Sequence, residues 1–345
     1  MAESLCFKGL TVMRVTTPCA NHCRFCSAGT KIVHNIPFDR YEAVVERFLN
    51  WRDHQNLVDF PIAPVQLYSL AQMPPDHLRR RFELCRRGGY EPLPLQINGL
   101  GFRPDDELRC LLIEKKEAGF KQISLTFAGP SEMHDLWCGR KGEFDFLVRI
   151  AVICGEIGFP RLEKLFLTES SWTRLPELMD FLDRISGEVI REIHTLSYVG
   201  WAKFLEKERI HESTNEALPE RVRKLAKLDG LKTEREWFSI IDQGHIDQEV
   251  LNVSIMIRLQ ENNLEWIEET DCEEVVEELK FRRQEAWSVL PPLYRLASAY
   301  GDRNNDCLYR LSELRHLWLD RFARDSPTLA DQVDCFYNSV GTVRK

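Results

Sequence analysis

Between residues 10 and 197 the chain alternates six times between a short apolar run and a longer amphipathic one, and this rhythm restricts the fold more than any other feature. Short runs rich in branched and aromatic residues, bounded by Gly, Pro and Asn, read as strands. Stretches with apolar residues three and four apart read as helices. The spacing predicts strands over 10–15, 64–70, 93–98, 122–127, 162–168 and 189–197. It predicts helices over 39–54, 76–88, 104–118, 143–157 and 175–185, then a charged helical stretch around 214–228. Gly88-Gly89 ends the second helix and Gly119 caps the third, because glycine enters the left-handed conformation of a helix end without steric cost. Strand and helix in alternation imply a parallel sheet with crossover helices, hence an α/β fold. Six such units fit a partial barrel, in which reactive groups collect at the carboxyl ends of the strands.

Directly after the first strand stand Cys19, Cys23 and Cys26, spaced Cys-x3-Cys-x2-Cys. Three thiolates can hold three irons of a [4Fe-4S] cluster, and without a fourth cysteine nearby the last iron is left open. An open metal position is a place for chemistry. Two plainer readings stand beside this one. A Cys3His zinc site would recruit His22 or His34, although no second ligand pair at finger spacing follows. Alternatively, the three thiols are unligated packing.

With the aromatic Phe25 immediately before its last cysteine, the triplet resembles the signature of the radical S-adenosylmethionine (SAM) superfamily. Further short segments over about residues 8–228 are similar, in order, to its peptide-maturase and sulfatase-maturase branch. Leu95-Gln-Ile-Asn-Gly-Leu100 resembles a third-strand Thr-Asn-Gly, with Ile97 in the threonine position. Thr126-Phe-Ala-Gly-Pro130, His134-Asp135 and Gly142-Glu-Phe-Asp145 resemble Ser-Leu-Asp-Gly, His-Asp and Gly-Ser-Phe-Asp, and Gly200-Trp-Ala202 resembles Gly-Arg-Ala.

The resemblance implies a partial (β/α)6 barrel of the radical SAM type and one [4Fe-4S] cluster on Cys19, Cys23 and Cys26. It implies S-adenosyl-L-methionine chelating the open iron, and cleavage of its sulfonium to a 5'-deoxyadenosyl radical that takes a hydrogen atom from the substrate. It further implies an electron donor of the flavodoxin or ferredoxin type. From the branch, the substrate is expected to be a peptide, modified by crosslinking or epimerisation. A small metabolite such as a sugar or nucleoside is the second reading, and a non-catalytic iron-sulfur or zinc protein is the rival from another class.

The chain departs from the branch at several positions. Ala71-Gln-Met-Pro74 stands where Gly-Gly-Glu-Pro is usual, so the SAM amino group is expected to meet Gln72 and backbone carbonyls instead of a carboxylate. Thr126 takes the place of a serine at the SAM ribose, and its hydroxyl can make the same bond. Cys138-Gly139 replaces Arg-Gly, and Arg140 is expected either at a SAM carboxylate contact or as a solvated loop residue. Cys138, on a predicted loop after the fourth strand, would face the site and return a hydrogen atom to the substrate radical; the plainer reading is packing. His134-Asp135 reads as a structural hydrogen-bonded loop pair, with acid-base chemistry as the alternative because histidine titrates near neutrality.

The chain has 345 residues and formal net charge -8, and its 11 cysteines are scattered rather than dense. That usage suits a reducing cytoplasm, not a small secreted framework. The N-terminus lacks a signal pattern and no apolar run reaches membrane length. The acidic balance argues against nucleic acid. Arg79, Arg80, Arg81, Arg86 and Arg87 are expected on a solvated helix face. A radical SAM core over 1–230 is expected, followed by an accessory α+β domain over 231–345. There, 249–259 and 264–269 read as a hairpin about the turn 260–263, with helices over 273–288, 292–300, 306–324 and 328–337. Only Cys272, Cys307 and Cys335 lie in this region, too far apart for an auxiliary cluster, so one cluster is expected in the whole chain. Its acidic stretch 261–278 suits a basic peptide or simple solubility.

Overall fold

The computed structural model describes residues 5–15, 19–27, 35–67, 70–244, 246 and 251–331. His34 and Cys335 lie outside these residues, as does most of the helix expected over 328–337.

The alternation resolves as β1 (Leu5–Val15), α1 (Phe38–His54), β2 (Ile62–Leu67), α2 (Pro75–Arg87), β3 (Leu95–Gln96), α3 (Asp105–Glu117) and β4 (Ile123–Phe127). Then come α4 (Ser131–Cys138), α5 (Glu143–Glu156), β5 (Arg161–Leu167), α6 (Leu175–Leu182) and β6 (Val189–Thr195). Short helices α7 (Glu212–Ala217) and α8 (Glu220–Leu225) precede β7 (Lys232–Thr233) and α9 (Glu234–Asp242). The remainder is β8 (Leu251–Arg258), α10 (Leu264–Glu269), α11 (Cys272–Ser288), α12 (Leu293–Tyr300), β9 (Leu308–Tyr309) and α13 (Leu311–Asp325).

Two parallel sheets, ordered β2-β1-β8 and β3-β4-β5-β6, carry the six expected units in sequence order and make an open, partial barrel. Register runs Leu10↔Ile62, Ile123↔Arg161 and Arg161↔Val189. The strands are short apolar runs because helices cover them. On α1 the buried Tyr41, Val44, Val45, Phe48 and Leu49 form one stripe at helical spacing. Leu10, Val12, Ile62 and Ile123 join them in a common core.

The expected hairpin does not form. Leu251–Arg258 pairs in parallel with β1, Leu5 opposite Leu251 and Leu10 opposite Ile255. After it the chain turns into a helix, because Leu264 and Ile267 are both buried at a three-residue spacing. Asn263 secures the turn, accepting from Gln260 N at 2.9 Å and donating to Arg258 O at 2.9 Å. Ile255, Ile257, Val275 and Val276 therefore belong to the main core, while Leu290, Leu296, Tyr309, Leu314 and Trp318 form a second one. Buried residues of β8, α10 and α11 thus pack in the same hydrophobic cluster as those of β1 to β6.

The arginines of α2 are not simply a solvated face. Arg80 pairs with Asp39 and Glu42 of α1, Arg87 donates to Asn50 Oδ1 at 3.1 Å, and Arg81 is buried and donates to Pro64 O at 3.2 Å. Part of the acidic stretch is also used internally, with Glu268 paired to Arg40 and Arg47 donating to Ile267 O at 2.6 Å and Thr270 O at 2.8 Å.

Candidate active site

The cysteine loop follows β1 and is gripped from three directions by backbone hydrogen bonds. Ala20 N donates to Gly99 O (2.9 Å), His22 N to Cys138 O (2.8 Å), Arg24 N to Trp137 O (2.9 Å), and Trp201 N to Cys26 O (2.9 Å). Each of the three contacting segments carries a glycine with positive φ: Gly99 (83°), Gly139 (62°) and Gly200 (55°). A Cβ would stand 2.1 Å from Cys19 Sγ at Gly99, 2.8 Å from His22 O at Gly139 and 2.3 Å from Cys26 O at Gly200. Only glycine tolerates both the conformation and the closeness. Three separate segments thus cradle the cysteine loop.

A buried carboxylate ties the cradle together. Glu143, fully buried at the start of α5, accepts from Asn21 Nδ2 at 2.8 Å and Gly99 N at 3.3 Å with one oxygen, and from Arg140 Nη1 at 3.1 Å with the other. Burial raises its carboxyl above the usual range, opposed by the bonds from Asn21 and Arg140. Asp135 accepts from Phe144 N at 2.9 Å and from Gly142 N, so it fixes the first turn of α5 and with it Glu143.

Beside the loop lies a pocket of about 470 Å³ lined by Cys19, Cys23, Cys26, Phe25 and Thr126, among others. The volume is in the range of small-molecule sites. All three loop cysteines are partly exposed. Burial raises the Cys19 thiol, and the nearby Cys23 and Cys26 sulfurs push it the same way. Phe25 packs on Phe166 with ring centroids 4.4 Å apart. Thr126 is clamped through its backbone by Asn98, which accepts from Thr126 N at 2.8 Å and donates to Thr126 O at 2.9 Å. Lys164, His194, Lys227 and Arg310 give the lining a basic side.

Other expected site residues are placed elsewhere. Gln72 is exposed on a single turn of 3-10 helix and is not among the described lining residues. The adjoining Met73 is buried, its carbonyl held by Lys115 Nζ at 2.7 Å. Arg140 lies behind the cysteine loop, stacked 3.5 Å from the Phe102 ring centroid and donating to Leu100 O at 2.6 Å. Cys138 ends helix α4 instead of standing on a loop, is 1% exposed and does not line the pocket. Its sulfur lies 3.3 Å from His134 Nε2 and hydrogen-bonds to Cys23, which holds the Cys23 thiol below its ordinary range. His134 accepts from Ala128 N at 3.0 Å, and burial lowers its pKa to about 4. His22 is exposed and does not join the cysteines in the pocket.

Sequence reasoning missed Glu143, Asn21, Asn98 and the basic side. Glu143 stood inside a quoted segment, but its partners are 122 and 44 residues away, a relation that no local spacing reveals.

The donor set fits an iron-sulfur cluster with one open iron: three thiols at one pocket, with no fourth cysteine among its described lining residues. No protein-family model and no curated protein matches the chain. Among solved structures it is similar to coproporphyrinogen III oxidase (HemN) from Escherichia coli, described as a radical SAM enzyme, at 14% identity and TM-score 0.40, covering 64% of this chain and 50% of that one. It is similar to Streptococcus suis SuiB bound to S-adenosylmethionine at 13% identity and TM-score 0.39, covering 73% of this chain and 47% of that one. It is similar to native anSMEcpe with bound AdoMet and the Cp18Cys peptide at 13% identity and TM-score 0.42, covering 94% and 99%. The chain spans about half the length of HemN and SuiB. At these scores the likenesses decide nothing, and the reading of the site rests on the chain's own residues.

Proposed function

We propose that the chain is a radical SAM enzyme in which Cys19, Cys23 and Cys26 hold one [4Fe-4S] cluster and the adjoining pocket receives SAM. The observation that carries this reading is the convergence of three partly exposed cysteines on one pocket at the carboxyl-end side of a parallel barrel, held by three glycines. When bound, the cluster and SAM supply reductive formation of a 5'-deoxyadenosyl radical and hydrogen abstraction from the substrate. The chain's residues bind, orient and shield. Thr126 offers a hydroxyl on a clamped backbone, Phe25 closes the apolar wall, and Glu143 with Arg140 holds the loop from behind. Lys164, Lys227 and Arg310 offer positive charge to an anionic group in the pocket.

The substrate proposed is a peptide, supported by the motif resemblance to the maturase branch, with an electron donor of the flavodoxin or ferredoxin type in a reducing cytoplasm. No helix among the described residues is long and apolar enough to cross a membrane. The basic side of the pocket favours a second reading, a small metabolite bearing a phosphate or carboxylate.

Anaerobic reconstitution tests the assignment. About four iron per chain are expected, lost on Cys19→Ala, Cys23→Ala or Cys26→Ala, together with 5'-deoxyadenosine formation from SAM under strong reductant. Stoichiometric zinc without iron absorption in the loop, or an intact cluster that never cleaves SAM, would favour the non-catalytic rival.

A further inference from the structure

We propose that His211, Asp306 and Cys307 form a zinc site separate from the cysteine loop. They offer one nitrogen, one carboxylate oxygen and one sulfur, and these ligand atoms all lie within 4.8 Å of one another. His211 Nδ1 is 2.7 Å from Asp306 Oδ1, and Cys307 Sγ is 3.7 Å from His211 Nε2 and 3.9 Å from Nδ1. Tetrahedral zinc with bonds of about 2.0–2.3 Å sets its ligand atoms roughly 3.3–3.8 Å apart. The sulfur-imidazole separation is therefore nearly right, the His-Asp contact must open by about 1 Å or less, and no pair of the three ligand atoms is more than 4.8 Å apart.

The backbone holds this constellation ready. His211 and Cys307 face each other across an antiparallel bridge. Leu308 N donates to Ile210 O at 2.8 Å and Glu212 N to Asp306 O at 3.0 Å, so both neighbours of the bridge are bonded as well. Asn305 Oδ1 accepts from Cys307 N at 3.0 Å, and Glu169 accepts from His211 N at 2.8 Å. Ligands on paired, rigid backbone lose little freedom when a metal arrives.

The donor mixture selects the metal. Calcium and magnesium take oxygen ligands, whereas thiolate, imidazole and carboxylate together suit zinc. Cys307 is buried while His211 and Asp306 are half-buried, which leaves the outer side for a water as fourth ligand. Binding converts the thiol to a zinc-bound thiolate and releases one proton, and the imidazole and carboxylate bind in their neutral-pH forms. None of the three residues lines the cysteine pocket, but Arg310, three positions past Cys307, does. Zinc would clip the segment after β6 to the entrance of α13 and hold Arg310 in place.

The test uses Zn²⁺ and Co²⁺ alone on the full chain carrying Cys19→Ala, Cys23→Ala and Cys26→Ala, so that the loop cannot compete. About one zinc per chain should survive dialysis, and Co²⁺ should give a thiolate charge-transfer band. Adding Cys307→Ser should abolish the band and weaken zinc at least about tenfold, a loss typical even of outer-sphere partners. Asp306→Asn, which keeps the side-chain shape, should weaken zinc with an unchanged circular dichroism spectrum. No retained zinc in the triple variant, or undiminished affinity after Cys307→Ser, overturns the proposal. Neither SAM nor reductant enters the experiment, so its outcome is independent of the proposed enzyme activity.

Discussion

Gly99 and Cys19 are in such close contact that a Cβ on the glycine would stand 2.1 Å from the cysteine sulfur. The exit of β3 therefore shapes the position of the first ligand candidate. Gly99→Ala must either move that sulfur or unwind a backbone held at φ 83°. A loss of about 2–3 kcal/mol is expected from the strained conformation and the clash together. Reconstituted iron should fall well below about four per chain. Gly101→Ala is the control, since a Cβ there meets nothing within 4 Å. Equal iron loading in both variants would show that the contact does not set the cysteine geometry.

The second prediction separates the two roles of Glu143, acceptor and charge. Its carboxyl is raised by burial, so the native state holds the proton more tightly than the unfolded chain. Such a group subtracts stability as pH rises from the ordinary carboxylate pKa through the folded one. Glu143→Gln stays neutral and keeps Oε1 as acceptor for Asn21 and Gly99, while an amide nitrogen replaces the oxygen that accepts from Arg140 Nη1, so the charge and that one bond are lost. Its stability should be flatter across that window, with cluster loading retained. Glu143→Ala removes the carboxylate that Asn21 Nδ2, Gly99 N and Arg140 Nη1 all donate to, at a cost of about 3 kcal/mol, and should lose the cluster. Urea melts at several pH values, with iron analysis, distinguish them, and identical behaviour of the two variants would count against the tether.

Acid should act through His134. It is buried, accepts from Ala128 N, and has a pKa lowered to about 4 by burial. With the folded pKa below the unfolded one, its contribution is complete above the ordinary histidine value and drains away as pH falls toward about 4. The shift corresponds to about 3 kcal/mol. His134→Asn places an oxygen where Nδ1 accepts and cannot charge. Its unfolding midpoint in urea should change less between pH 7 and pH 5 than that of the unmutated chain. A parallel fall in both would assign the acid sensitivity to other groups, with the similarly lowered His316 the first to try.

The cysteine loop and the six strand-helix units were legible because both are written locally, in a spacing of three or four residues and in the period of apolar positions. What the sequence did not reveal is nonlocal. The alternation in 251–258 looks the same whether its partner is a neighbouring hairpin strand or β1, and the distant partner is the one formed. Asn263 looked like a hairpin turn, but its side chain closes the end of β8 and the next residues wind into α10. Resemblance located Arg140 and Cys138 in the chain but not in orientation: Arg140 is drawn to the buried Glu143, and α4 carries Cys138 behind the loop.

That location behind the loop gives Cys138 a testable part. Its thiol donates to the Cys23 sulfur, which lowers the Cys23 pKa and raises its own. Since the thiolate is the reactive form, Cys23 in the cluster-free protein should be alkylated by iodoacetamide ahead of an ordinary thiol near neutral pH. Cys138→Ala should slow that alkylation and move its pH profile upward, read by mass spectrometry of the Cys23 peptide. Cys138 itself, 1% exposed, should remain unlabelled until the chain unfolds. A hydrogen-atom donor would have to meet the substrate in the pocket, and the Cys138 side chain does not line it. Cys138→Ala is therefore expected to form 5'-deoxyadenosine and still complete its product, with altered cluster uptake as the main defect. If the variant instead stalls after 5'-deoxyadenosine, and the unmutated enzyme takes one solvent deuterium into its product, Cys138 reaches the substrate after all and the helix end must move during turnover.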